Sequence, residues 1–139
     1  MASPDTASAG QTIPKCPFCK RIEEGVSVER NDLAAAFLDA YPLADGHWLV
    51  VPLRHEPDYF RLTTGEHHAI LALVRALQER LSKTVHPDGF NVGINVGEAA
   101  GQTVGHAHVH LIPRKDGDVE DPRGGVRWVI PERAAYWNA

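Results

Sequence analysis

The stretch Gly101-Gln102-Thr103-Val104-Gly105-His106-Ala107-His108-Val109-His110-Leu111-Ile112-Pro113-Arg114 decides how this chain folds and what it carries. Three histidines stand two apart. On a strand, positions two apart share a face. His106, His108 and His110 are therefore expected on one side, with Ala107, Val109 and Leu111 turned into a core. A row of imidazoles suits a metal site, or a nucleophilic histidine whose neighbours orient it and handle protons. A His-x-His metal strand would want a carboxylate soon after it and a further histidine downstream. No histidine follows His110, and the first carboxylate is Asp116, beyond Pro113. A purely metal-based site is disfavoured.

Working outward, Phe90–Val96 reads as the strand before it, with Val92 and Ile94 on one face and Asn91, Gly93 and Asn95 on the other. Val26–Glu29, Leu33–Asp39 and Trp48–Val51 read as earlier strands. The third is apolar on both faces and hence central. Thr63 with Glu66 three residues on forms a capping box. The helix it opens runs to about Lys83, with Ile70, Leu73, Val74, Leu77 and Leu81 as one apolar stripe. Lys20–Gly25 reads as a connector, Trp128–Pro131 as a short strand and Glu132–Trp137 as a helical end. The sum is an α+β fold: an antiparallel sheet of about five strands with one long helix on one face. The other face is left for the histidines.

The 139 residues suit one domain. We expect a disordered lead over 1–14, then a single domain over 15–139 with its core at 16–114 and a C-terminal segment at 115–139. Met1–Gln11 is rich in Ala, Ser and Thr without a basic start or apolar run, so it does not read as a signal peptide. A net charge of −4 gives no reason to expect nucleic-acid or membrane-surface binding. A cytoplasmic location is expected. Both cysteines lie in Cys16-Pro17-Phe18-Cys19. The spacing admits a zinc half-site, a redox pair or two unrelated thiols. Zinc would need two further ligands from distant histidines.

The central stretch resembles the signature of the histidine triad family, His-φ-His-φ-His-φ-φ with φ apolar, preceded by Gly-Gln-Thr/Ser-Val. The resemblance spans roughly Cys16 to Arg114. It includes Asn31–His55, with Gly46-His47-Trp48-Leu49-Val50-Val51-Pro52, and Phe90–Gly97. It implies a histidine triad fold and a homodimer joined through its sheets. It also implies that His108 attacks the α-phosphorus of a purine nucleotide ester, anhydride or phosphoramidate, and that water resolves the nucleotidyl-histidine. His110 would contact the phosphate or leaving group and assist proton transfer. Asn95, Gln102 and Thr103 are uncharged donors beside the triad, suited to phosphate oxygens. No carboxylate lies in the motif, so a backbone carbonyl is expected to orient His108.

The resemblance further places Asp39 at the ribose, with Phe37, Leu38, Leu49 and Phe18 as candidates for the base pocket. His47 matches a family histidine near the triad. In the zinc-bearing branch the ligands correspond to Cys16, Cys19, His55 and His106, and four N/S ligands make the metal structural. Arg123 and Arg127 are candidate phosphate clamps, and Arg127 and Trp128 are candidates to act across a dimer. The first reading is a nucleotidyl hydrolase acting on dinucleoside polyphosphates or nucleoside phosphoramidates. The alternatives are a nucleotidyltransferase or phosphorylase with a non-water acceptor, and a nucleotide-binding regulatory module. The uridylyltransferase branch carries glutamine in place of the third histidine, so His110 favours hydrolysis.

Overall fold

In a computed structural model describing residues 15–139, the long helix α2, Thr64–Thr84, starts where its capping box places it. The Thr63 hydroxyl accepts from the Glu66 N–H (3.1 Å), and the Glu66 carboxylate accepts from the Thr63 N–H (2.9 Å). The expected lead over 1–14 lies outside the described residues. The stripe Ile70, Leu73, Val74, Leu77 and Leu81 is buried against Ala34, Ala36, Val50, Ala107, Val109 and Leu111. Each fully buried aliphatic side chain there contributes roughly 1.5–3 kcal/mol. No helix among the described residues is long and apolar enough to cross a membrane.

Five antiparallel strands lie under α2: β1 Glu29–Arg30, β2 Ala34–Leu38, β3 Trp48–Pro52, β4 Gly89–Ile94 and β5 Val109–Arg114. Their order is β1-β2-β3-β5-β4. The strand apolar on both faces, β3, is central, paired with β2 and β5. Gly46, just before it, has φ +86, and a Cβ there would lie 2.5 Å from the Leu81 side chain. Only glycine fits that turn without strain.

Three expectations change. The connector at Lys20–Gly25 belongs to a helix, α1, Pro17–Glu24. Cys16 caps it, Pro17 sits in its first turn, and Gly25 ends it in the left-handed region. Val26 is 72% exposed and Ser27 adopts φ 54, so β1 is only two residues long. Trp128–Pro131 is not a strand. Gly125–Val129 forms a 3-10 turn and Pro131–Ala134 a short helix α3. Their hydrogen bonds close within the segment, and no sheet edge receives them.

On the face away from α2, α1 lies over β2 and β3. Cys16, Phe18, Cys19 and Ile22 pack on Ala35, Phe37, Leu49 and Val51 as a second core. The C-terminal segment lies over β4, where Gly125 approaches the Asn91 side chain. The histidines stand between these two covers.

Candidate functional site

Alternation holds along the triad, but the paired strand begins only at Val109. His106 and His108 precede it. Their segment is held by a loop instead of a neighbouring strand: the Ala107 N–H donates to the Glu56 carbonyl (2.7 Å). Ala107, Val109 and Leu111 are buried under α2, and the three imidazoles take the opposite face.

Each histidine has a partner that sets its tautomer, assigned from the network. The His108 Nδ1–H donates to the His106 carbonyl at 2.9 Å. Its Nε2 therefore keeps the lone pair. The Phe18 ring packs edge-on against the His108 ring, 5.0 Å between centroids, and the His110 ring lies 5.2 Å away on the other side. The backbone carbonyl expected to orient the middle histidine is thus supplied by its own strand.

His47 gives the third histidine its orientation. The Leu43 N–H donates to His47 Nδ1 at 3.1 Å, so the His47 proton must sit on Nε2. That Nε2–H donates to His110 Nδ1 at 2.9 Å, with Asp39 Oδ2 a more distant acceptor at 3.5 Å. His110 therefore keeps its own proton on Nε2 and serves as a hydrogen-bond donor. Burial lowers the pKa of His47 against the raising effect of Asp39. Burial, then the neighbouring His108 and His47, lower that of His110. Both rings are held neutral, as the relay requires.

The chain has two clusters with metal-ligand chemistry among the described residues, Cys16–Cys19–His55–His106 and Asp39–His47–His110. Their surroundings separate them. In the first, the His106 Nε2–H donates to the Pro52 carbonyl (2.8 Å), which leaves the Nδ1 lone pair facing the sulfurs at 3.5 Å. His55 Nδ1 lies 3.3 Å from Cys19 Sγ. Burial pushes the His106 pKa down to about 4, so the ring is an unprotonated ligand at neutral pH. All four residues are buried, and a histidine anchored through its outer nitrogen is the usual arrangement around a tetrahedral ion. This donor set fits a structural transition metal. In the second cluster the Leu43 N–H already occupies His47 Nδ1. A metal on Nε2 would require an imidazolate, so this cluster is a hydrogen-bond relay.

The remaining candidates divide. Asn95 is half-buried and Thr103 exposed, both near the triad. Gln102 has no free donor for phosphate: its oxygen accepts from the Gly97 N–H (2.8 Å), and its nitrogen donates to the carbonyls of Pro57 (2.9 Å) and Val104 (3.0 Å). It staples the loop before the triad. Asp39 and Phe37 lie on the histidine face. Phe37 and Leu49 are closed inside the second core with Phe18, and Arg21 stacks over Phe37 at 4.7 Å. Leu38 alternates onto the opposite face beside Trp48, away from any pocket at the histidines. The C-terminal arginines are occupied. Arg127 donates to the carbonyls of Ala134 (3.1 Å) and Arg133 (2.5 Å), and Arg123 pairs with Asp121 and stacks on Trp137. They hold their own segment together.

A buried ionic network, unread in the sequence, stands beside the cysteine–histidine cluster. Arg54 donates to both oxygens of Glu66 (3.1 and 2.8 Å) and to Glu56 (3.3 Å). It anchors the loop that carries His55 to the start of α2. An arginine beside a ligand histidine was the available signal.

Known proteins resemble this chain in sequence and in fold. A bis(5'-nucleosyl)-tetraphosphatase [asymmetrical] from Schizosaccharomyces pombe is 38% identical over 110 residues, covering 78% of this chain and 60% of that protein. An AP-4-A phosphorylase from Mycobacterium tuberculosis is 39% identical over 114 residues, covering 81% and 58%. A zinc-bound histidine triad family protein from Mycobacterium smegmatis superposes with a TM-score of 0.69 at 30% identity, covering 77% of this chain and 80% of that one. The HIT domain matches residues 21–117, and with the triad, its relay and the sheet all in place, this chain belongs to the HIT domain family.

Proposed function

We propose that this protein is a nucleotidyl hydrolase that cleaves substrates at the α-phosphorus through a covalent nucleotidyl-His108. One observation carries this reading: the His108 Nδ1–H is fixed on the His106 carbonyl, which leaves a neutral Nε2 lone pair as nucleophile. His108 Nε2 attacks phosphorus and the bond to the leaving group breaks. Water then displaces Nε2 and releases the nucleotide. The His110 Nε2–H, fixed by His47, donates to the phosphate or the departing atom, and Asn95 and Thr103 supply further donors. Related enzymes named for dinucleoside polyphosphates support a nucleotide substrate. The M. tuberculosis relative is named a phosphorylase, which makes inorganic phosphate the competing acceptor. Turnover of a nucleotide panel in heavy-oxygen water, with and without phosphate, tests the reading. Label in the released nucleotide supports hydrolysis; a phosphate-dependent nucleoside diphosphate product rejects it.

Zinc is the metal best suited to the Cys16, Cys19, His55 and His106 set, where it would tie α1 to the triad strand. The purified protein should carry about one zinc per chain, and Cys16→Ser should lower both zinc content and melting temperature. Protein purified without chelators and free of transition metal would rule this out.

Asp39 is proposed to accept hydrogen bonds from the ribose. Its Oδ1 already takes the Tyr41 N–H (2.9 Å), so Oδ2 is the oxygen with capacity. Losing one acceptor of a charged hydrogen bond costs about 1.5–3 kcal/mol. Wild type should prefer ribo over 2′-deoxy substrates in kcat/KM, and Asp39→Ala should lose most of that preference. If the two effects simply multiply, Asp39 holds only the turn after Leu38.

A further inference from the structure

Arg21 extends from α1 with its guanidinium over the Phe37 ring, 4.7 Å from the centroid. The residue is half-buried, and the guanidinium makes no hydrogen bond or ion pair with a described residue. Arg54 and Arg114, the other half-buried arginines among the described residues, are each held by carboxylates. Asp39, two residues beyond Phe37, is committed elsewhere. Its Oδ1 takes the Tyr41 N–H (2.9 Å), and its Oδ2 lies 3.5 Å from His47 Nε2. A guanidinium carries donors and no acceptor. Stacking on a ring uses its face and leaves the donor edge available.

This cation stands at one end of the proposed nucleotide site. The Phe18 ring links it to the nucleophile: its centroid lies 5.4 Å from that of Phe37 and 5.0 Å from that of His108. Asp39, proposed at the ribose, is separated from Phe37 by roughly 6.6–6.8 Å of strand. That spacing matches the reach of a purine from its ribose. Phe37 itself is 1% exposed, covered by Phe18 and Arg21. A base that enters beside Asp39 therefore meets the guanidinium before it meets the ring.

We propose that Arg21 reads the base of the bound nucleotide and selects a 6-oxopurine, guanine or hypoxanthine, over adenine. The inference rests on the nucleotide-substrate reading of this same site. Guanine and hypoxanthine present two neighbouring acceptors, O6 and N7, which match two guanidinium N–H groups. Adenine keeps N7 but carries an amino group in place of O6, so a donor faces donors. The side chains beside the guanidinium, Phe18 and Phe37, are apolar and offer that amino group no acceptor in exchange.

The test is calorimetric titration of the full chain with GMP, IMP, AMP and 7-deaza-GMP, which needs no turnover. Wild type should bind GMP and IMP about tenfold or more tighter than AMP. 7-deaza-GMP lacks the N7 acceptor and should bind about fivefold or more weaker than GMP. Arg21→Met keeps an apolar cover over Phe37 and removes every side-chain donor. It should bring the GMP-to-AMP ratio close to one and make GMP and 7-deaza-GMP equivalent. A merely structural role for Arg21 would move neither ratio. A wild-type GMP-to-AMP preference near one or reversed, a preference unmoved by Arg21→Met, or undiminished affinity for 7-deaza-GMP overturns the inference. Turnover is scored separately on guanosine and adenosine 5′-phosphoramidate. Discrimination in binding without turnover of either overturns the hydrolase reading and leaves this inference standing. Absence of binding by all four nucleotides overturns both.

Discussion

His108→Ala is expected to lower kcat by about a thousandfold or more, while nucleotide affinity changes only a few-fold. The expectation follows from what the ring does. Its Nδ1–H is committed to the His106 carbonyl, and in the proposed mechanism its Nε2 forms the bond to phosphorus. Alanine removes that bond and no other atom within reach replaces it. His110 lies 5.2 Å away between ring centroids, but its Nδ1 accepts from His47 and its Nε2 carries the proton. It cannot act as the substitute nucleophile in that tautomer. Ground-state contacts from Asp39, Asn95 and Thr103 are untouched, so binding should persist. The measurement is single-turnover kinetics beside equilibrium titration of the product nucleotide. Activity near that of wild type would exclude the covalent route.

Arg54→Met is expected to cost about 3–5 kcal/mol of stability, lowering the melting temperature by about 10 °C or more. Glu56 and Glu66 are both nearly buried, at 5% and 4% exposure, and Arg54 is the cation between them. Burial works against the Glu66 carboxylate, yet hydrogen bonds from Arg54 and Thr63 hold its pKa below the ordinary value. A group depressed in this way stabilises the fold above its unfolded pKa and loses that contribution as pH falls. Without Arg54 the two carboxylates face each other unpaired, and one regains a proton on acidification. The stability gap between wild type and variant should therefore hold near neutral pH and narrow as the pH falls below about 4.5, the ordinary glutamate value. The same loop carries His55 and accepts the Ala107 N–H, so retention of the proposed zinc should weaken in parallel. A melting temperature within a degree or two of wild type would show the network to be dispensable.

The sequence by itself determined the elements and the two faces. The period of two through Ala107, Val109 and Leu111 marks a core side and a histidine side, because strand side chains alternate wherever the segment lands. The capping box at Thr63 and Glu66 and the stripe from Ile70 to Leu81 define α2 by purely local chemistry. α1 was not read: Pro17 at its start and Gly25 at its end mark it, but eight residues carry too little periodicity to stand out from a connector. What only the tertiary structure decided lies between elements. His47 reaches His110 because Trp48 pairs with Leu111, a register that no pattern within either strand reports. Arg54 meets Glu66 because α2 starts over the end of β3. Cys16, Cys19, His55 and His106 form one cluster across 90 residues because α1 folds back over β2 and β3. The tautomers of His47, His106 and His108 follow from backbone groups of Leu43, Pro52 and His106. Every residue type carries the same backbone donor and acceptor, so sequence cannot show which one will lie beside an imidazole.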